Sequence, residues 1–238
     1  MIEGPQCVVL FEDRLYRMRA NQANDVSTAV ALTPEQIMAE SFRIIDAEVG
    51  PHSFDAVEWQ VVRRIVHASG DLEFARLVHF QHASARAGVR ALQAGMPIVT
   101  DVRMVASGIQ RPVLEKLGLA LHCFIDAPEV ARMAQEQGTT RSACAMHKAV
   151  TEVGPAVYVI GNAPTALLTL CTCVRQGLVQ PGLIVAMPVG FVAVVESKEQ
   201  ALTLDTPVIT VRGRKGGSAV ATATVNALLL MAQQGLPA

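Results

Sequence analysis

His67 is the side chain around which chemistry can be argued, because of what its spacing places beside it. Around Val61–Asp71, VVRRIVHASGD, the apolar residues Val57, Val61 and Ile65 recur at helical spacing, while Gln60, Arg63, Arg64 and His67 fall at i, i+3, i+4 and i+7 on the other side. Histidine titrates nearest physiological pH of the common side chains, and arginine grips carboxylates through paired N–H bonds. The pattern suits a proton donor or acceptor beside an anion-binding pair. Its plain alternative is a solvated basic face that ends in a capping histidine. Gly70 is placed to end the helix in a left-handed cap and Asp71 to cap the next one, which sets His67 in the last turn before a chain reversal.

Further candidates follow the apolar runs that read as strands. They are Asp101-Val-Arg103, the loop Gly161-Asn162-Ala-Pro-Thr165, the loop Pro188-Val-Gly190-Phe with Glu196-Ser-Lys198 two turns on, and Gly213-Arg-Lys215-Gly-Gly217-Ser218. Glycine there allows close backbone approach, and a helix starting just afterwards aims unpaired N–H groups at an anion. The same glycines also serve ordinary turns. Thr140-Arg141-Ser142 is a further possible anion contact, although its hydroxyls suit a helix cap equally well. Ser41 lies inside a predicted helix, where serine is a middling helix former.

The elements that must position these residues follow from pattern. Thr33-Pro34-Glu35 opens a helix that runs to Glu48, with Thr33 as N-cap and Pro34 in the first turn. After His67 the spacing predicts helices over Leu72–Phe80 and Ala83–Ala94, and then strands alternate with helices. The strands are expected at Pro97–Val102, Leu121–Ile125, Ala156–Ile160, Leu183–Met187 and Pro207–Val211. Continuous apolar runs alternating with helices indicate a mostly parallel sheet covered on both faces, so the expected class is a three-layer α/β/α fold with five strands. Residues 1–32 look different, with a possible short strand in VVLF and then a polar, aperiodic stretch. They are set apart as an N-terminal extension, and residues 33–238 as a single α/β domain.

Composition narrows the function. Of the 238 residues 51% are hydrophobic and 4% aromatic, which suits one packed core, and a net charge of -1 gives no general field for nucleic acid or anionic lipid. With so few aromatics there is also no stacking platform for bases. The five cysteines form no CxxC pair and read as buried thiols of a reducing compartment, and no apolar run is long enough to span a membrane. A cytoplasmic protein is expected. His79 and His82 are three apart, the minimum spacing for two ligands on one helix face, but no nearby carboxylate or third histidine completes a set, so no metal site is assigned. Neither glycine-rich loop has phosphate-loop spacing, and no G-x-S-x-G turn exposes a nucleophile that could join Asp101 and His67 in a triad.

Taken as an ordered set, several motifs resemble the precorrin-8X methylmutases of cobalamin biosynthesis. They are ESFRII at Glu40, RRIVHASGD at Arg63, TDVRMVASGI at Thr100, TTRSACAM at Thr139, GNAPTAL at Gly161, MPVGFVAVVESKE at Met187 and GRKGGSAVATATVNALL at Gly213. The resemblance spans about Pro34 to Leu230. It implies a homodimeric isomerase without a cofactor, which moves a methyl group from carbon 11 to carbon 12 of a polycarboxylate tetrapyrrole. The product is hydrogenobyrinate, or cobyrinate where cobalt is already present. Carried over by motif, the family's catalytic histidine falls on His67 and its substrate contacts on Ser41 and Arg64. Arg103, Arg141, Asn162, Gly190 and Lys215 occupy motif loops and are further candidates for substrate binding. A non-catalytic tetrapyrrole-binding or channelling protein is the alternative reading.

Overall fold

The computed structural model describes residues 32–236. The short strand expected in VVLF, and Cys7, lie outside the described residues. Two units make up the chain, one ending at Ile44 and the other beginning at Ile45. Helix α1 (Pro34–Val49) begins as its sequence dictates: Thr33 Oγ1 accepts from Gln36 N and the Gln36 side chain accepts from Thr33 N, a reciprocal cap.

Helix α2 (Ala56–Ser69) is bounded by equally specific signals. Asp55 accepts from the amides of Val57 and Glu58, the Glu58 side chain returns to Asp55 N, and Gly70 ends the helix at φ 64°. Val57, Val61, Val62, Ile65 and Val66 are buried along one side. The next helix is much shorter than expected, because α3 spans Phe74–Leu77 and strand β1 takes Val78–Gln81. VHFQ is rich in β-branched and aromatic residues, and pairing with β6 (Val208–Val211) outweighs helical propensity there. His79 therefore sits in a strand, so the helical i, i+3 relation to His82 does not exist.

The chain then alternates: α4 (Ser84–Gln93), β2 (Ile98–Thr100), α5 (Arg103–Gly108), α6 (Arg111–Leu117), β3 (Leu121–His122), α7 (Pro128–Glu136), α8 (Arg141–Glu152), β4 (Val157–Ile160), α9 (Pro164–Arg175), β5 (Leu183–Ala186), α10 (Val194–Leu202), β6 and α11 (Ser218–Gln234). The sheet has six strands rather than five, in the order β1-β6-β5-β4-β2-β3. All neighbours are parallel except the added strand β1, which runs antiparallel to β6. Every residue of β2, β4, β5 and β6 is buried, as a sheet covered on both faces requires. Helices α2, α4, α5 and α6 pack on α11 to form one layer, and α7, α8, α9 and α10 pack in series as the other. Tyr158, Ile184 and Val208 join Leu167 and Leu170 of α9 in the core on that second side. The parallel connections leave β2 and reverse direction between β2 and β4, so the carboxyl ends of these strands flank a switch point where loops diverge. Three of the described cysteines, Cys144, Cys171 and Cys173, are buried, but Cys123 is half-buried.

Candidate active site

Helix α2 delivers Arg64 and His67 to the same cavity, of about 370 Å³. Its other walls are α5, through Met104 and Gly108, and the start of α11, through Ser218, Thr222 and Asn226. The two arginines of the motif have different fates. Arg63 turns away to Asp46 at 3.2 Å and to Gln60 at 2.8 Å, whereas Arg64 lines the cavity. Burial first, and the neighbouring Arg63 second, pull the Arg64 pKa down. A half-desolvated guanidinium of this kind gains more from an anionic partner than one in bulk water does. His67 is exposed in the last turn of α2, held there by the Gly70 cap.

The far wall depends on close backbone approach. Asn226 donates to Gly108 O at 3.0 Å and accepts from Gln110 N at 3.0 Å, which fixes the turn between α5 and α6 against α11. A Cβ added at Gly108 would meet Thr222 Cγ2 at 2.7 Å, so glycine is what allows that approach. Ser218, Thr222 and Asn226 recur every fourth residue on a helix whose other residues up to Ala232 are apolar or small. That polar stripe is the sequence signal for this wall, less conspicuous than the charged loops expected to line the site.

The other predicted residues stand elsewhere. Ser41 donates to Ile37 O at 2.8 Å within α1. Arg103 pairs with Asp126 at 3.2 Å on the surface, Arg141 is exposed in the first turn of α8, and Asn162 is exposed in the loop after β4. Gly190 adopts φ 136° in the loop after β5, with its N–H bonded to Arg214 O at 3.3 Å. Lys215 pairs with both Asp71 and Glu73, just beyond the Gly70 cap, and this raises its own pKa and lowers that of Asp71. Arg103, Arg141, Asn162, Gly190 and Lys215 do not line the 370 Å³ cavity. At the switch point the buried Asp101 accepts from the amides of Gly161, Asn162 and Ala163 at 2.8–2.9 Å. Its carboxylate thus occupies the place that an external anion would take in the GNAP loop. Burial raises the pKa of that carboxyl and the three amides oppose the rise. A larger cleft, of about 800 Å³, opens beside β1, but Glu48, Glu58 and Glu73 line it together with His52 and Arg76.

Comparison with known proteins settles the family. The precorrin-8X methylmutase family model matches residues 36–231. The chain belongs to the precorrin-8X methylmutase family. It is 39% identical to the cobalt-precorrin-8 methylmutase of Priestia megaterium, over 87% of this chain and 92% of that protein, and 42% identical to the protein of the same name from Leptospira interrogans, over 82% and 92%. The precorrin-8X methylmutase of Pseudomonas aeruginosa is 39% identical over 82% of this chain and 94% of that one. A crystal structure of the precorrin-8X methylmutase from Thermus thermophilus superposes with a TM-score of 0.78 at 39% identity, over 84% of this chain and 99% of that one. As a precorrin-8X methylmutase family member the chain is an isomerase of cobalamin biosynthesis. Among the described residues no helix is long and apolar enough to cross a membrane.

Proposed function

We propose that the cavity holding Arg64 and His67 is the active site, and that it carries the methyl shift from carbon 11 to carbon 12 of precorrin-8X or of cobalt-precorrin-8. The observation that carries this reading is the delivery of both side chains by one helix into one cavity. Arg64 holds a peripheral carboxylate of the tetrapyrrole in a bidentate pair. His67 hydrogen-bonds or protonates the macrocycle so that the bound tautomer is the one able to undergo a 1,5-shift of methyl. In that shift the bond to carbon 11 breaks as the bond to carbon 12 forms, so the step needs neither a nucleophile nor a redox group. The larger cleft suits such a substrate poorly, since its three glutamates repel carboxylates.

Ser41 is assigned to substrate binding by its motif, and Arg103, Arg141, Asn162, Gly190 and Lys215 to the rim of loops around the carboxyl end of the sheet. Residues 33–238 act as one catalytic domain, in keeping with the family match over residues 36–231. The protein works as a homodimer in the cytoplasm. A 370 Å³ cavity lies near the small end of the ~300–1,000 Å³ that enclose drug-sized ligands, so a tetrapyrrole extends beyond it and a second copy completes its cover. Met104 at the cavity is 73% exposed, and Phe191 and Val192 are 83% and 84% exposed, which leaves apolar surface for that cover. The test is the visible spectrum of purified protein incubated with precorrin-8X and, separately, with cobalt-precorrin-8. Conversion of either to the corrin chromophore is expected and identifies the substrate; a stable bound spectrum with both points to the binding or channelling alternative.

A further inference from the structure

Among the described residues two charged side chains are almost wholly enclosed, Asp101 at 2% and Lys198 at 1% exposure. Asp101 is accounted for by its three amides. Among the described residues no carboxylate contacts Lys198. Its ammonium, rising from α10, donates to Gly213 O at 2.9 Å and to Lys215 O at 2.6 Å. Burying a cation without a counter-charge is expensive, and a leucine or methionine would fill the same space without that cost. What the ammonium supplies is geometry, because it draws two carbonyls of the glycine-rich turn after β6 onto one point.

That turn is a junction for the cavity. Gly217 N donates to Met187 O at 2.8 Å and Gly190 N to Arg214 O at 3.3 Å, so the turn is sewn to the loop after β5. A Cβ at Gly216 would come within 2.5 Å of Met187 O, which shows how little slack the seam has. One residue past the seam α11 begins, and its Ser218 and Thr222 form a wall of the cavity. The side chain of Lys215, whose carbonyl Lys198 holds, reaches Asp71 and Glu73 directly after the helix that carries His67. A single buried ammonium thereby fixes the backbone from which both walls of the cavity are referenced. Helix α10 packs on α9 and β6, in the layer away from α11, so Lys198 acts at a distance from any substrate.

We propose that Lys198 is a positioning residue of the isomerase: its ammonium clamps the Gly213–Lys215 turn and so sets the separation between the Ser218 end of α11 and the His67 end of α2. The proposal rests on the assignment of the active site to the His67 cavity. The test compares the full-length wild type with Lys198→Met, with Lys198→Gln, whose amide can serve one of the two carbonyls, and with His67→Ala. Hydrogen exchange is followed residue by residue and kcat and KM are measured separately. Lys198→Met is expected to fold cooperatively, to exchange faster over residues 187–193 and 213–219 but not in α7 and α8, and to lose about 10- to 100-fold in kcat with KM within about threefold. Lys198→Gln is expected to fall between it and wild type on both measures, and it carries the comparison alone where the methionine variant does not fold. A merely space-filling lysine leaves local exchange and kcat unchanged or lowers stability uniformly, and either result overturns the proposal. Faster loop exchange in Lys198→Met combined with wild-type turnover in His67→Ala would retain the clamp but sever it from catalysis, which overturns the positioning role through failure of the site assignment rather than of the clamp.

Discussion

Two pairs of ionisable side chains divide the work of this molecule. Asp101 and Lys198 are enclosed at the carboxyl edge of the sheet and satisfied by backbone, the carboxylate by three N–H groups and the ammonium by two carbonyls. Arg64 and His67 stand instead in an open cavity, one half-buried and the other exposed. The first pair spends its charge on holding loops and the second is placed where a ligand can reach it. Charge alone is therefore a poor guide to the site, and the surroundings of each charge decide its use.

Four substitutions or conditions sharpen that contrast. The largest effect on stability is expected for Asp101→Ala, which leaves three amides of the loop after β4 without their acceptor. At about 1–3 kcal/mol for each buried group left unsatisfied, a loss of ~3 kcal/mol or more should appear as a lower denaturation midpoint. A midpoint near that of wild type would mean that water or a neighbour replaces the carboxylate without cost. Gly161→Ala should follow, because its Cβ would meet Val105 Cγ2 at 2.5 Å and the Ser218 backbone at 3.0 Å; overpacking of this kind costs about 1–3 kcal/mol and also shifts the start of α11. Arg64→Ala should reverse the balance, with thermal stability close to wild type and substrate affinity weakened by about 10- to 100-fold, as loss of a charge-assisted hydrogen bond of ~1.5–3 kcal/mol implies. Unaltered affinity for the polycarboxylate would remove Arg64 from the site.

The smallest effect is a pH dependence. Burial holds the Lys198 pKa at about 8, below the ordinary 10.5. Between these values the unfolded chain keeps a proton that the folded chain has released, so this group makes stability rise with pH across the window and contributes no slope below pH about 8. Lys198→Met should lack that rise when denaturation midpoints are compared with wild type at pH 7.5 and pH 9.5, and parallel profiles would show that Lys198 keeps its proton in the fold.

Much of this architecture was legible in the sequence because it is written in local signals. Asp55, Glu58 and Gly70 bound α2 as capping chemistry requires, Thr33 starts α1, and the buried apolar runs became the parallel strands. The failure over Leu72–Phe80 came from a partner distant in sequence: Val78–Gln81 became a strand because β6 offered it a ladder about 130 residues later. Within the site, helical spacing placed Arg64 and His67 on one side of α2 but could not tell Arg63 from Arg64, since the choice depends on Asp46 in another helix. Attention to charge favoured Arg103, Arg141 and Lys215, whose partners Asp126, Asp71 and Glu73 for the first and third are visible only in three dimensions. The less conspicuous stripe Ser218, Thr222 and Asn226 was the better guide to the cavity.

The central claim is that His67 performs proton chemistry in the cavity that binds the tetrapyrrole. Its most direct test is a single-turnover experiment in which His67→Ala and wild type are each loaded with the substrate that the wild type converts, and the visible spectrum is followed in time. The expected result is that both bind, that wild type develops the corrin chromophore, and that the variant holds a substrate-like bound spectrum with a rate lower by about 10²- to 10⁴-fold, the usual contribution of a general acid or base. Conversion by His67→Ala at the wild-type rate would contradict the account and place the chemistry away from this cavity.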